Sequence, residues 1–235
     1  MELFKRYIAF ILIFIAVALL WNTIVMYPLK IFVVFMHEVS HGVAAIATGG
    51  EIVSLNVNQH EGGLAMTRGG SRFWILTAGY LGSLLWGGFI LLLAAMTHYD
   101  KVISVLIGVG MVAISIGFGT DMFTYLFGIG FGVGLILIGF FLPEKVNDWL
   151  LRVIGLTSCL YAILDIKSDV LDRSELPSDA RMLSEVTPLP TEFWGFLWII
   201  IAIGLTFWFL FIAGKSGAST QVEDTDDTAT DTGSF

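Results

Sequence analysis

Charge is what this sequence has least of. Of 235 residues, 14% are Asp, Glu, Lys or Arg while 56% are hydrophobic, and mean hydropathy is +0.84. Soluble globular chains carry about 25% charged residues. A deficit of this size leaves too little polar surface to cover a water-facing protein, so lipid must be the solvent for most of the chain. Cysteine is almost missing as well. Cys159 stands alone, which rules out an intrachain disulfide, and its apolar neighbours make it a small core residue. Basic residues are too few, 12 against 20 acidic for a net charge of −8, to form a patch that holds nucleic acid.

The acidic excess is concentrated. Glu223, Asp224, Asp226, Asp227 and Asp231 lie in a Ser/Thr-rich stretch after Gly214. This stretch has no apolar periodicity and is expected to be a disordered acidic tail over 215–235. Asp165, Asp169, Asp172, Glu175, Asp179, Glu185 and Glu192 crowd a second polar segment.

What is abundant is long apolar runs. A bilayer core needs about 20 mostly apolar residues per helix, and such runs stand near 8–27, 30–48, 73–96, 102–119, 122–142, 149–166 and 194–213. The fold class is therefore an all-α polytopic membrane protein of about six to seven transmembrane helices. In the first run, Lys5 and Arg6 precede the apolar stretch and Ala16-Val17-Ala18 mimics a signal cleavage site. Because the stretch continues to Met26, the reading is an uncleaved anchor over 1–28, followed by a membrane-embedded domain over 29–214.

Between the second and third runs the period changes to two. Ile52, Ser54, Asn56 and Asn58 alternate with Val53, Leu55 and Val57. Gly62-Gly63 then offers a turn before Leu64–Thr67, which predicts a small β-hairpin at the membrane surface. Further on, Gly128/Gly132 and Gly130/Gly134 form two interleaved small-xxx-small pairs suited to close helix packing.

The chemistry lies in the second run, in His37-Glu38-Val39-Ser40-His41. On an α-helix, residues four apart are about 40° apart around the axis and one turn along, so both imidazoles face one point. Glu38 falls about 60° from His41, near enough to act on a water at that point as general base. This is the H-E-x-x-H arrangement of zinc peptidases, and it makes Zn2+ the expected cofactor. Ionisable side chains inside a span are costly and face a cavity or a partner.

A catalytic zinc takes three protein ligands and leaves one open position. Asp165, near the end of the sixth run, is the leading third ligand. If runs two and six travel in the same direction, His41 lies roughly 17 Å and Asp165 roughly 24 Å along their helices, compatible with some tilt. Asp169, one turn further on, competes with it, and Asp121 is a more distant choice. His60-Glu61 lacks a second histidine at the required spacing and reads as a solvated turn.

These residues resemble the site-2 protease family of intramembrane metalloproteases, in its short branch without a PDZ domain. His37-Glu38-Val39-Ser40-His41-Gly42 followed by Thr48-Gly49-Gly50 carries most of the likeness. Gly62-Gly63-Leu64-Ala65-Met66-Thr67 is similar to the family's strand-forming loop, and Ala78-Gly79-Tyr80-Leu81-Gly82-Ser83 to the start of its next core helix. Leu164-Asp165 resembles the late Leu-Asp-Gly motif, although Ile166 replaces the glycine and no Asn-Pro precedes. Ser178-Asp179-Ala180 is similar to a downstream element of the branch. The resemblance implies hydrolysis of peptide bonds in a transmembrane protein or peptide substrate, within the lipid bilayer. Two other classes stay open: a metal-ion transporter, which usually shows an internal repeat that is not found here, and a non-catalytic scaffold of protease descent, which would not need Glu38.

Overall fold

The computed structural model describes residues 2–172 and 178–230. The chain folds as α1 (Glu2–Leu20), α2 (Tyr27–Ala47), β1 (Glu51–Val57), β2 (Gly63–Arg68), α3 (Arg72–Met96), α4 (Asp100–Phe118), α5 (Met122–Phe141), α6 (Glu144–Lys167), a π-helical turn (Ser168–Asp172), α7 (Asp179–Val186) and α8 (Thr191–Thr230). Among the described residues, six helices are long and apolar enough to cross a bilayer: α2, α3, α4, α5, α6 with its π-turn to Val170, and α8 to Ser216. The apolar part of α1, Tyr7–Leu20, is shorter. The protein is a multi-pass integral membrane protein.

Helix ends follow local chemistry. α1 stops at Leu20, before the expected end of the first apolar run, because the Thr23 hydroxyl and amide both donate to the Leu20 carbonyl. Pro28 sits in the first turn of α2, where its missing N–H costs nothing. Asp121 caps α5 by accepting the Thr124 amide at 2.9 Å. α8 continues through Thr230, into the stretch expected to be an acidic tail; no proline follows Pro190 to interrupt it. Glu175 and Asp231 lie outside the described residues.

Two packing centres position the site. One joins α2 (Ile31, Phe32, Phe35, Val39) to β1 (Leu55, Val57), α4, α5 and α6. The other gathers Leu76 and Tyr80 of α3, Cys159, Ala162 and Ile166 of α6, Val170 of the π-turn, Ala180 and Leu183 of α7, and Trp194 and Trp198 of α8. Cys159 is fully buried, as its neighbours in sequence implied.

Among the described residues the sheet has two antiparallel strands, with Leu55 opposite Ala65 and Asn56 opposite Leu64. The hairpin expected after the second apolar run is present, and its contacts lay it back along α2. Ile52 stands against Gly42, Gly63 against Glu38, Glu61 against Lys30 and Gln59 against Tyr27. Extended backbone beside a spanning helix survives only if its polar groups are satisfied by protein. The ladder supplies one side, and Thr124 supplies part of the other, its hydroxyl accepting from the Val57 amide at 2.9 Å and lying 3.2 Å from the Val57 carbonyl.

The two interleaved glycine pairs have different fates. A Cβ at Gly128 would collide with Ser115, and one at Gly132 would come within 2.7 Å of the Gly108 carbonyl, so this pair seats α5 on α4. Around Gly130 and Gly134 nothing lies within 4 Å. Replacing Gly128 with Val should therefore destabilise the fold by about 1–3 kcal/mol, the usual cost of overpacking. Gly130→Val should leave it nearly unchanged, as measured by thermal unfolding in detergent.

Candidate metal centre

His37 and His41 project from one face of α2, and the carboxylate that meets them belongs to α7. Asp179 Oδ2 lies 3.1 Å from His37 Nε2 and 3.2 Å from His41 Nε2. Among the described residues, His37, His41 and Asp179 form the group whose potential ligand atoms all lie within 4.8 Å of one another. The helices reach this proximity by omitting side chains. A Cβ at Gly79 of α3 would collide with His37, His41 and Asp179 together, and one at Gly82 would strike Ser40.

The third position departs from the sequence reading. Asp165 lines the same cavity but is outside the three-residue group. Asp169 is engaged elsewhere, accepting the Tyr80 hydroxyl at 2.6 Å. Asp121 is spent as the α5 cap. The physical reason lies beyond α6. Its register breaks into the π-turn at Ser168, and the chain returns as α7, which carries Asp179 inward as its first residue. A signal for this helix exists in the sequence. Ser178 is an N-cap whose side chain accepts the Arg181 amide at 3.3 Å, and Ala180 and Leu183 sit three apart on the buried face. An acidic residue directly after a serine N-cap, in a segment matching a downstream family element, marks Asp179 as readily as Asp165 was marked.

The electrostatics of the group call for a cation. His41 Nδ1 is 2.7 Å from the Ile75 carbonyl oxygen, which can only accept, so Nδ1 carries the proton. A neutral His41 then presents the Nε2 lone pair to a carboxylate oxygen, acceptor against acceptor. Asp179 Oδ2 is buried with no hydrogen-bond partner. Burial alone would push the Asp179 carboxyl up, but the adjacent imidazoles, His41 foremost, reverse this and hold it below the usual carboxylate range. Two arrangements satisfy such a group: protons on both imidazoles, or one metal ion among the three atoms. Zinc bonds of 2.0–2.1 Å at tetrahedral angles separate ligand atoms by about 3.3 Å, close to the spacings found. The His41–Ile75 bond is also the outer contact that fixes the tautomer of a ligating histidine.

Glu38 stands beside this group and is only 6% exposed. The Ala65 backbone amide of β2 donates to its carboxylate, and a Cβ at Gly63 would collide with it. Tyr80 sets its ring edge-on to His37, centroids 4.9 Å apart. All these residues line one cavity of about 490 Å³, walled by β2 and the hairpin tip on one side and by Ile75, Leu76 and Met182 on another.

A family model described as Peptidase M50B-like matches residues 10–209. The chain belongs to this family. Comparison with curated proteins and with solved structures returned no match. Membership agrees with the resemblance read from His37-Glu38-Val39-Ser40-His41, and the matched region includes α7 with Asp179 and all six candidate spans except the end of α8.

Exchange of single carboxylates tests the group directly. In purified protein, Asp179→Ala should weaken zinc binding by more than the roughly 10–100-fold typical of an outer contact, whereas Asp165→Ala should retain stoichiometric metal. Metal content by elemental analysis, titrated against a competing chelator, reads both.

Proposed function

We propose that this chain is an intramembrane zinc metalloprotease, with His37, His41 and Asp179 as ligands and Glu38 as general base. The observation that carries the reading is the convergence of two imidazole nitrogens and one carboxylate oxygen, with a second buried carboxylate beside them and a cavity in front. Zinc held there supplies Lewis acidity, lowering the pKa of a water and polarising the scissile carbonyl.

The chain's own residues do the rest. Glu38 takes a proton from the attacking water and returns one to the leaving amine. Its burial and its bond from the Ala65 amide hold the carboxylate in one place. Gly63 leaves room for it. The Ile75 carbonyl keeps the His41 proton on Nδ1 and the Nε2 lone pair inward.

The sheet is suited to holding substrate. A helical peptide must first unwind, because its carbonyls are occupied by helical hydrogen bonds, and the extended segment then needs a strand edge. The β1 edge is occupied: Val57 is bonded by Thr124, and the Asn56 side chain by Thr120. Among the described residues the outer edge of β2 has no strand neighbour, and Gly63 to Ala65 line the cavity. The outward direction of the Ala65 amide, toward Glu38, fixes the parity, since alternate strand residues share an edge. Gly63, Ala65 and Thr67 therefore present their backbone groups on the outer edge, and Gly63 and Ala65 line the cavity.

Two measurements test this reading. Glu38→Gln should keep zinc yet lose cleavage of a transmembrane peptide by at least about a hundredfold, the low end of general-base catalysis. If wild-type protein carries metal across a vesicle membrane without cutting peptide, the transporter reading replaces this one; if it does neither, the scaffold reading does. Thr67→Pro removes an outer-edge donor while sparing the ladder to β1. It should raise KM or abolish cleavage with zinc content unchanged, and full activity in that variant would remove the sheet from the mechanism.

A further inference from the structure

A second, smaller cavity of about 200 Å³ lies beside the first, lined by Trp21, Tyr161, Leu164 and Ser168 together with His60, Glu61 and Asp165. The last three line the metal cavity too. The residues common to both spaces are His60 and Glu61, in the tip of the hairpin (residues 58–62), and Asp165 of α6.

The tip is fastened to α2 at specific points. Lys30 Nζ is 3.3 Å from both carboxylate oxygens of Glu61 and lies 4.9 Å from the Trp21 ring centroid, over its face. The Tyr27 hydroxyl donates to the Gln59 carbonyl at 2.9 Å. Within the tip, Asn58 Oδ1 accepts the His60 amide at 2.8 Å and the Gly62 amide at 3.3 Å. Among the described residues, Glu61 is the non-glycine residue with positive φ, at 60°. A glutamate held in that region is strained and persists only when its surroundings impose it. Lys30, 8% exposed on an otherwise apolar helix end, needs a counter-charge as much as Glu61 needs an anchor. Gly62 and Gly63 follow at once and give the backbone freedom to move. A strained residue, an ion pair that holds it and a glycine hinge thus stand at the lining shared by two cavities.

From this we infer that the hairpin tip is a gate between the two cavities, latched shut by the Lys30–Glu61 pair against Trp21, and that the smaller cavity is the path by which a peptide segment reaches His37, His41 and Asp179. With the latch closed, the tip walls off the metal cavity on the side of Trp21 and Tyr161. Release of Glu61 from Lys30 lets it leave positive φ, and the turn swings about Gly62–Gly63 to join the spaces.

Two readouts test the gate. The first, which rests on the metal reading, is the rate at which a chelator strips zinc from purified protein. Glu61→Gln and Lys30→Met should each speed it about fivefold, the scale of a partly buried ion pair. The double variant should be no faster than either alone, and the swap Lys30→Glu/Glu61→Lys should return the rate to near wild type. The second readout needs no metal: alkylation by a maleimide of a cysteine placed at Ala65, in the cavity wall, with native Cys159 buried and silent. It should accelerate in the same variants by a similar factor. Unchanged alkylation in both single variants, or additive effects in the double, overturns the gate. Failure of zinc binding with accelerated alkylation overturns the metal reading and leaves the gate standing.

Discussion

The arrangement around Asp179 turns on one electrostatic demand. Two imidazole nitrogens stand 3.1 and 3.2 Å from one buried carboxylate oxygen, and the Ile75 carbonyl commits His41 to presenting a lone pair. His41 Nε2 and Asp179 Oδ2, both acceptors in their unprotonated forms, must share a positive charge, proton or metal, or separate. Much of the nearby packing keeps them from separating. Gly79 brings α3 against all three, Gly82 makes room for Ser40 beneath them, and Tyr80 braces His37 while its hydroxyl holds Asp169 and so the π-turn that precedes α7. Asp179 is tied in turn by Ala180 and Leu183, buried in the cluster that also contains Tyr80.

Most of the architecture was legible because it rests on strong periodic signals. Apolar runs of span length mark the helices, and a switch to period two marks the hairpin at almost its true limits. Spacing of four on a helix brings His37 and His41 together whatever surrounds them. The third carboxylate was not legible by the same means. Ranking Asp165 by its depth along α6 assumes that the helix delivers the residue, yet the chain breaks register at Ser168 and supplies Asp179 from a separate short helix. No one-dimensional period encodes that return; it depends on Leu183 and Ala180 finding the cluster around Tyr80 and Trp198. For the same reason, sequence offered two equivalent glycine pairs in α5, and only packing against α4 distinguishes Gly128 and Gly132 from Gly130 and Gly134. The hairpin's packing along α2 was not legible, because alternation predicts a strand but says nothing of its neighbour. The Tyr27–Gln59 and Lys30–Glu61 contacts, which lay it along α2, join residues more than thirty positions apart.

That placement has a cost which explains the polar residues around the sheet. A two-stranded ribbon has two bare edges, and beside a spanning helix neither can be left to lipid. On β1, Thr124 accepts the Val57 amide and lies 3.2 Å from the Val57 carbonyl, and Asn56 is bonded to Thr120. The same Thr124 and Asp121 cap α5, so one short loop closes a strand edge and starts a helix. On β2, Glu38 receives the Ala65 amide. The edge that β2 presents is therefore turned toward the cavity and the candidate base.

Under the proposed reading, the site must admit water and a peptide segment while excluding lipid, and the hairpin is the element that touches every part of this problem. Gly63 is where the parts meet. Only a residue without a side chain fits between Glu38 and the strand, and the same residue ends the hinge that follows strained Glu61. A swing of the tip therefore cannot leave Glu38 unaffected, because the strand that begins at Gly63 also supplies the Ala65 amide. Opening the path loosens the contact that holds the candidate base, and closing restores it. A chain built this way has little reason to activate a water before the partition has shut, and it reaches that coupling by adjacency along five residues, from Glu61 to Ala65, without any long-range change of shape.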